Sequence, residues 1–360
     1  MFIIIIKSYA TSLFTIHRIA TDGHMNKNNE SQTRSATMKL ASSLFSFTVI
    51  ISLTLPIIFV ISVRVGPYST DPACNKPDPR NLRSDQMTVI INGYSENRVP
   101  HIQSIAAAYS ASPSIAAVIL LWCNSSTPPQ TLSSLAQNLP ATILRPPSSS
   151  LNHRFYPWDI IKTRAVLISD DDIEPNQKSI SFAFTTWKSN PDLIIGFFAR
   201  SHAYDLQSKS WIYTMEKEKY SIILTKFMII DRNHLQTYTC DDKYNKTRHI
   251  VDEMNNCEDI LMNFVVAENA NKGPLLVEAK GGVRDYGDAR NDDGLRVSEV
   301  GLSSRIGEHR KRRGECITEF HRLLGRMPLR YSYGMMVNSV GEQGLCVKGE
   351  KLVPCDQQIF

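Results

Sequence analysis

Between Lys39 and Arg64 the chain runs for 24 residues without a charge, LASSLFSFTVIISLTLPIIFVISV. About 20 apolar residues let a helix cross a bilayer core, and Pro56 inside the run is tolerated in that setting. A cleaved signal peptide has an apolar region of only about 7–15 residues and a small-residue cleavage site after it. This run is longer and closes on Arg64, so residues 40–64 are expected to form a transmembrane signal anchor. Lys7, Arg18, Lys27, Arg34 and Lys39 precede it, and basic flanks stay cytosolic. Residues 1–39 are therefore expected to be a disordered cytosolic segment, with everything beyond Arg64 on the luminal side. Met38, just ahead of the run, is an alternative start.

The rest of the chain is of a different kind. Over the full chain of 360 residues, 42% are hydrophobic and 21% charged, and mean hydropathy is −0.20. Such values exclude a disordered, collagen-like or multi-span chain. A net charge of +5 is too small for this length to argue for a nucleic-acid partner. On the luminal side Cys74, Cys123, Cys240, Cys257, Cys316, Cys346 and Cys355 meet oxidising conditions. Seven is odd, so at least one stays free or pairs with another chain; Cys74 could link two chains, and Cys346 could pair with Cys355. N-glycosylation acceptors occur at Asn124 and Asn245 on this side, and at Asn29 on the other.

Residues 65–85 are rich in proline and polar residues and read as a stem. From residue 86 to 360 a luminal domain follows. Apolar runs at 87–92, 115–122, 142–145, 164–169 and 193–198 predict strands, and helical spacing predicts helices over 99–110 and 178–188. Apolar strands alternating with helices indicate an α/β domain around a mostly parallel, covered sheet.

The fourth of these strands, RAVLIS, ends in Asp170, Asp171 and Asp172. Ligands in open α/β sheets bind beyond the carboxyl ends of strands, and three carboxylates there suit a hard cation that leaves positions open for phosphate oxygens. An acidic surface turn or a calcium loop has the same composition. Residues 250–266, IVDEMNNCEDILMNFVV, read as one helical run with Glu258 and Asp259 inside it, beside Cys257. A carboxylate in an apolar setting is either satisfied by a partner or kept for chemistry. Residues 305–313 carry Arg305, His309, Arg310, Lys311, Arg312 and Arg313, either a solvated face or a grip on phosphate. A disulfide between Cys257 and Cys316 would tie the acidic run to the basic one.

SDDD after a strand, SFAFTTW, PDLIIGFFARSH, NNCEDILMNFV and GRMPLRYSY, in this order, resemble the exostosin-like glycosyltransferases of family 64. VGLSSRIGEHRKRRGEC, MPLRYSYG and VNSVGEQGLC look most like its short plant members, which mannosylate glycosylinositol phosphorylceramides. The resemblance implies a GT-A-type fold, Mn²⁺, a nucleotide-sugar donor and retention of configuration. It implies that Asp172 holds the metal, that Asp259 is the catalytic carboxylate with Glu258 beside it, and that Arg313 steadies the leaving diphosphate. It places Asn92, Arg98, Asn124, Arg154, Asp170 and Asp171 on the nucleotide sugar, and pairs Cys257 with Cys316. The stretch after the first strand departs from the family pattern, with Glu96 where an arginine is expected and the arginine moved to Arg98.

The expected activity is transfer of mannose from GDP-mannose to a glycosylinositol phosphorylceramide headgroup by a type II Golgi membrane enzyme. The rivals are a UDP-N-acetylhexosaminyltransferase acting on glycans and a catalytically silent luminal lectin. Asn124 cannot both line the donor pocket and carry a glycan, so Asn245 is the expected glycosylation site.

Overall fold

The computed structural model describes residue 74 and residues 78–216, 218–278, 283–287, 306–338 and 344–355. The expected cytosolic segment, the anchor and most of the stem lie outside the described residues, as does Arg305. No helix among the described residues is long and apolar enough to cross a membrane.

The strands are β1 (Arg83–Gly93), β2 (Ile115–Trp122), β3 (Thr142–Leu144), β4 (Thr163–Asp170), β5 (Ile173–Pro175), β6 (Ile195–Gly196), β7 (Ala199–Asp205), β8 (Ser210–Thr214), β9 (Lys219–Tyr220), β10 (Ile222–Ile223), β11 (Phe227–Asp231), β12 (Leu275–Glu278), β13 (Val283–Asp285), β14 (Ser332–Tyr333), β15 (Met336–Val337), β16 (Leu345–Lys348) and β17 (Lys351–Pro354). The helices are α1 (Val99–Ser110), α2 (Pro129–Asn138), α3 (Gln177–Ser189), α4 (Arg232–Cys240), α5 (Asn245–Met254), α6 (Glu258–Ala270) and α7 (Ile306–Leu324).

The main sheet has the order β15-β12-β6-β11-β4-β1-β2-β3. Only β11 runs against its two neighbours; the other pairings are parallel. Alternation of side chains divides the inner strands between two cores. Val89 and Ile91 of β1 pack with Ile102 and Ile105 of α1 and Phe184 and Trp187 of α3. Ile90, between them, packs on the other face with Ile260 and Phe264 of α6 and Phe320 of α7. Burial on both faces is why these strands read as unbroken apolar runs.

Local signals set the helix ends. Proline in the first turn of α1 gives up an N–H that has no helical partner there. Asn176 caps α3 by accepting the Ser179 N–H at 2.8 Å, and Asp231 caps α4 through the Asn233 N–H at 2.9 Å.

Three expectations need correction. Residues 250–266 are not one helix: α5 stops at Asn255, left-handed with φ 46°, and α6 starts after Cys257, with φ 76°. Asparagine tolerates that conformation and ends helices, so Glu258 and Asp259 occupy a first turn. Second, the apolar residues 193–198 supply only the two-residue strand β6. The chain turns away after it into the hairpin β7–β8, where the polar Ser201 and His202 are buried and Tyr204 and Ile212 face solvent, so no apolar run announces it. Third, Cys74 does not bridge two chains: it pairs with Cys240. Cys346 pairs with Cys355 and Cys257 with Cys316, leaving Cys123 free and buried.

Gly196 of β6 shows how tightly the sheet closes near its antiparallel strand. A Cβ there would lie 2.3 Å from the Phe227 carbonyl oxygen and 2.4 Å from Ile223 Cγ2. Gly196→Ala is expected to destabilise by about 3 kcal/mol, since backbone cannot yield as a side chain can. A thermal melt lowered by roughly 6–12 °C would register it; an unchanged melt would mean that the strands part without cost.

Candidate active site

Three parallel strands deliver their carboxyl ends to one place. Asn92 of β1 stands in register with Asp170 of β4 on one side and Leu121 of β2 on the other. Cys123 and Asn124 follow β2 directly. Asn92 Oδ1 accepts from the Cys123 thiol at 3.3 Å, and burial pushes that thiol up to about 11. Asn124 Oδ1 accepts from the Ser126 N–H and hydroxyl at 2.9 and 2.6 Å. Arg98, just before α1, meets Asp171 at 2.5 Å. Burial raises the Asp171 carboxyl and Arg98 opposes the rise.

A second arginine connects this cluster to the acidic pair. A short 3-10 turn, Leu151–Phe155, carries Arg154 into the interior. Its Nη1 donates to Thr225 Oγ1 at 2.7 Å. The same nitrogen lies 3.1 Å from Asp170 Oδ1 and 3.1 Å from Glu258 Oε1. Burial pushes Glu258 up to about 7, with Arg154 drawing it down and Asp259 adding to the rise.

Asp259 and Arg313 form the tightest element. The Arg313 guanidinium meets Asp259 Oδ2 at 2.6 Å, with the two side chains 6% and 4% exposed. It also donates to Asn256 Oδ1 at 3.1 Å and stacks 4.5 Å above the Tyr213 ring. Burial penalises its charge, but Asp259 and Tyr213 outweigh that, so the guanidinium is held above its ordinary value. The hairpin sets this geometry: Trp211 of β8 donates its backbone N–H to Thr318 Oγ1 of α7 at 2.9 Å and its Nε1–H to His321 Nδ1 at 2.8 Å. The Cys257–Cys316 bridge closes the other side. Of the basic run, Arg313 alone is buried among its described members; Arg310 and Lys311 are exposed.

Asp172 stands apart from these pairs. Its Oδ1 is buried without a hydrogen-bond partner. Burial and the neighbouring Asp170 push the carboxyl up to about 7, and Lys226 draws it down. Among the described residues no group of three or more His, Cys, Asp or Glu side chains forms a ready metal cage. An orphaned carboxylate oxygen beside two more acids fits a hard cation that takes most of its ligands from a bound phosphate, as Mg²⁺-like ions do.

The structure thus brings Asn92, Arg98, Asn124, Arg154, Asp170, Asp171, Asp172, Glu258, Asp259 and Arg313 around the ends of β1, β2 and β4 and the start of α6. Asn245 lies outside this group, exposed at the start of α5. The sequence reading missed Thr225, Lys226, Asp285, Asn256 and Tyr213. Each is an ordinary residue in its own segment, and only the fold gives it a charged neighbour.

A mixed α/β sheet with acidic strand ends and a buried acid–arginine pair is a form suited to group transfer from a phosphorylated donor. Residues 87–341 match the model of the glycosyl transferase family 64 domain. The chain is 55% identical over 296 residues to Glycosyltransferase family protein 64 C3 of Arabidopsis thaliana, covering 79% of this chain and 90% of that protein. It is 34% identical over 236 residues to Exostosin-1c of Danio rerio, covering 64% of this chain and 30% of that protein. It is 28% identical over 302 residues to Glucosamine inositolphosphorylceramide transferase 1 of Arabidopsis thaliana, covering 82% of this chain and 38% of that protein. The chain therefore spans about a third of the last two relatives. It belongs to glycosyl transferase family 64 and is a glycosyltransferase.

Proposed function

We propose that the chain is a retaining, Mn²⁺-assisted glycosyltransferase that moves mannose from GDP-mannose onto a glycosylinositol phosphorylceramide headgroup. The buried Asp259–Arg313 pair, linked through Glu258 and Arg154 to Asp170, carries the reading. It puts fixed positive and negative charge side by side, as departure of an anion from a cationic sugar carbon requires. A bound divalent ion would supply Lewis-acid stabilisation of the leaving diphosphate, and Asp172 is the residue to hold it. Asp170, Asp171, Asn92, Arg98, Asn124 and Arg154 would orient the base, ribose and sugar. Arg313 would offset charge on the leaving group. Asp259 would face the reacting carbon, either steadying its positive charge or attacking it.

The acceptor is inferred from the inositolphosphorylceramide transferase among the relatives, and from the uncharged run at residues 40–64, which would hold the enzyme in a Golgi membrane beside a lipid. Asn245, exposed, is the proposed glycan site. The same relative transfers glucosamine by its name, which favours a second reading, a UDP-N-acetylhexosaminyltransferase. A silent lectin would have no use for the acid–arginine pair.

A donor screen decides between them. The full chain with Mn²⁺ and inositol phosphorylceramide bearing a sugar acid is expected to turn over GDP-mannose and to lose at least about 100-fold of its rate in chelator. Turnover of UDP-N-acetylglucosamine alone would replace the first reading by the second.

A further inference from the structure

Lys226 is the group at the acidic cluster that neither the sequence motifs nor the proposed reaction use. It precedes β11, whose first residue, Phe227, pairs with Ser169 of β4. That register puts Lys226 level with Asp170. Its backbone carbonyl accepts from the Ser169 hydroxyl at 3.4 Å. Its ammonium meets Asp285 Oδ2 at 2.7 Å and lies 5.5 Å from the Phe198 ring centre.

Asp285 in turn lies against Asp172. Strand β13 pairs with β5, the strand that follows the triplet, and the Tyr286 N–H donates to the Asp172 carbonyl at 2.9 Å. Gly287 donates its N–H to Asp285 Oδ1 at 3.0 Å. A Cβ on Gly287 would lie 2.3 Å from Asp172 Oδ2 and 3.3 Å from Asp285 Oδ1. The two carboxylates therefore converge on one point, and the Lys226 ammonium is held beside it by Asp285 Oδ2. The other cations here are already committed: Arg98 to Asp171 and Arg154 to Asp170 and Glu258.

We propose that Lys226 is a built-in counter-cation of the acidic motif. It competes with a lone divalent ion at Asp172 and attracts the nucleoside diphosphate, so that metal and nucleotide enter together. The proposal rests on the reading of Asp172 as the metal-holding residue. The physical ground is charge: a fixed ammonium in a partly desolvated pocket repels a second cation and draws a polyanion.

Opposite signs for the two ligands make the test. Binding of Mn²⁺ alone is measured from the free-ion spin-resonance signal, and binding of GDP and UDP in chelator by calorimetry. The proteins are the full wild-type chain, Lys226→Met and Lys226→Arg, each first shown to melt like wild type. The expected result for Lys226→Met is Mn²⁺ binding at least tenfold tighter and nucleoside diphosphate binding at least tenfold weaker, with Lys226→Arg restoring both. A purely structural lysine would weaken both ligands together, and that outcome, or changes within twofold, would overturn the proposal. If none of the three proteins takes up Mn²⁺, the metal reading fails, and the nucleotide arm still decides on Lys226: unchanged GDP and UDP affinity in Lys226→Met rejects it.

Discussion

Replacing Asp259 with alanine is expected to lower sugar transfer on the order of 10³-fold, the loss seen when a preorganised charge at a reacting centre is removed. It is also expected to destabilise the domain, because Arg313 stays buried after its partner has gone. Breaking one side of a buried pair costs about 3–5 kcal/mol. Asn256 and the Tyr213 face would remain as partners of the guanidinium, which should keep the loss near the lower end. Asp259→Asn separates the two effects. The amide still accepts from Arg313 but carries no charge, so the fold should survive better while the rate stays low. Removing both partners together should recover part of the stability lost by Asp259→Ala, since no uncompensated charge remains, and none of the rate. Steady-state transfer and thermal melts on the same preparations check both. A folded Asp259→Ala chain with wild-type turnover would end the proposed role.

The central sheet could be read from the sequence because its strands are buried on both faces. Residues 87–92, 115–122 and 164–169 are continuous apolar runs, which suit a strand covered by helices on either side. The helix over residues 99–110 was visible for the complementary reason, one apolar stripe at helical spacing. The hairpin β7–β8 was not visible. Strand β8 packs against α7, but Ser201 and His202 are buried while Tyr204 and Ile212 are exposed, so no single apolar run stands out. The break between α5 and α6 was hidden for another reason. Ile250, Met254, Leu261 and Phe264 keep a helix-like spacing across it, and only the left-handed Asn255 and Cys257 interrupt the backbone.

The site divides in the same way. Asp170, Asp171 and Asp172 were legible because the triplet directly follows a buried strand, where ligands of open α/β sheets bind; composition alone left an acidic turn or a calcium loop open. Asp259 and Arg313 were legible through motif order; their 2.6 Å contact was not, since 54 residues separate them in sequence. Arg154 was placed near the donor by resemblance, but its hold on both Asp170 and Glu258 emerges only when the 3-10 turn packs against α4 and α5. Lys226 and Asp285 had no signal of their own. A lysine and an aspartate 59 positions apart become a pair only because β11 and β13 bring both to the triplet.

Removing the Cys257–Cys316 bridge should cost the fold much of its stability, and should reach the chemistry as well. The two cysteines are 59 residues apart, and closing a loop of that length restrains the unfolded chain by about 4 kcal/mol on the chain-entropy account. The bridge also ends on both halves of the charged pair. Cys257, with its left-handed backbone, is the residue before Glu258 and Asp259, and Cys316 is buried on α7 one turn after Arg313. Without it, α6 and α7 are held beside the pair by Phe264–Phe320 packing and the ion pair itself. Cys257→Ser with Cys316→Ser is therefore expected to lose about 4 kcal/mol and most transfer activity even where it folds. Removal of the Cys346–Cys355 bridge is the control. That bridge closes only the hairpin β16–β17, whose Leu345, Val347 and Leu352 are exposed, so transfer should be unchanged. Equal loss of activity from the two removals would mean that oxidation stabilises the chain generally and that Cys257–Cys316 does not position Asp259 against Arg313.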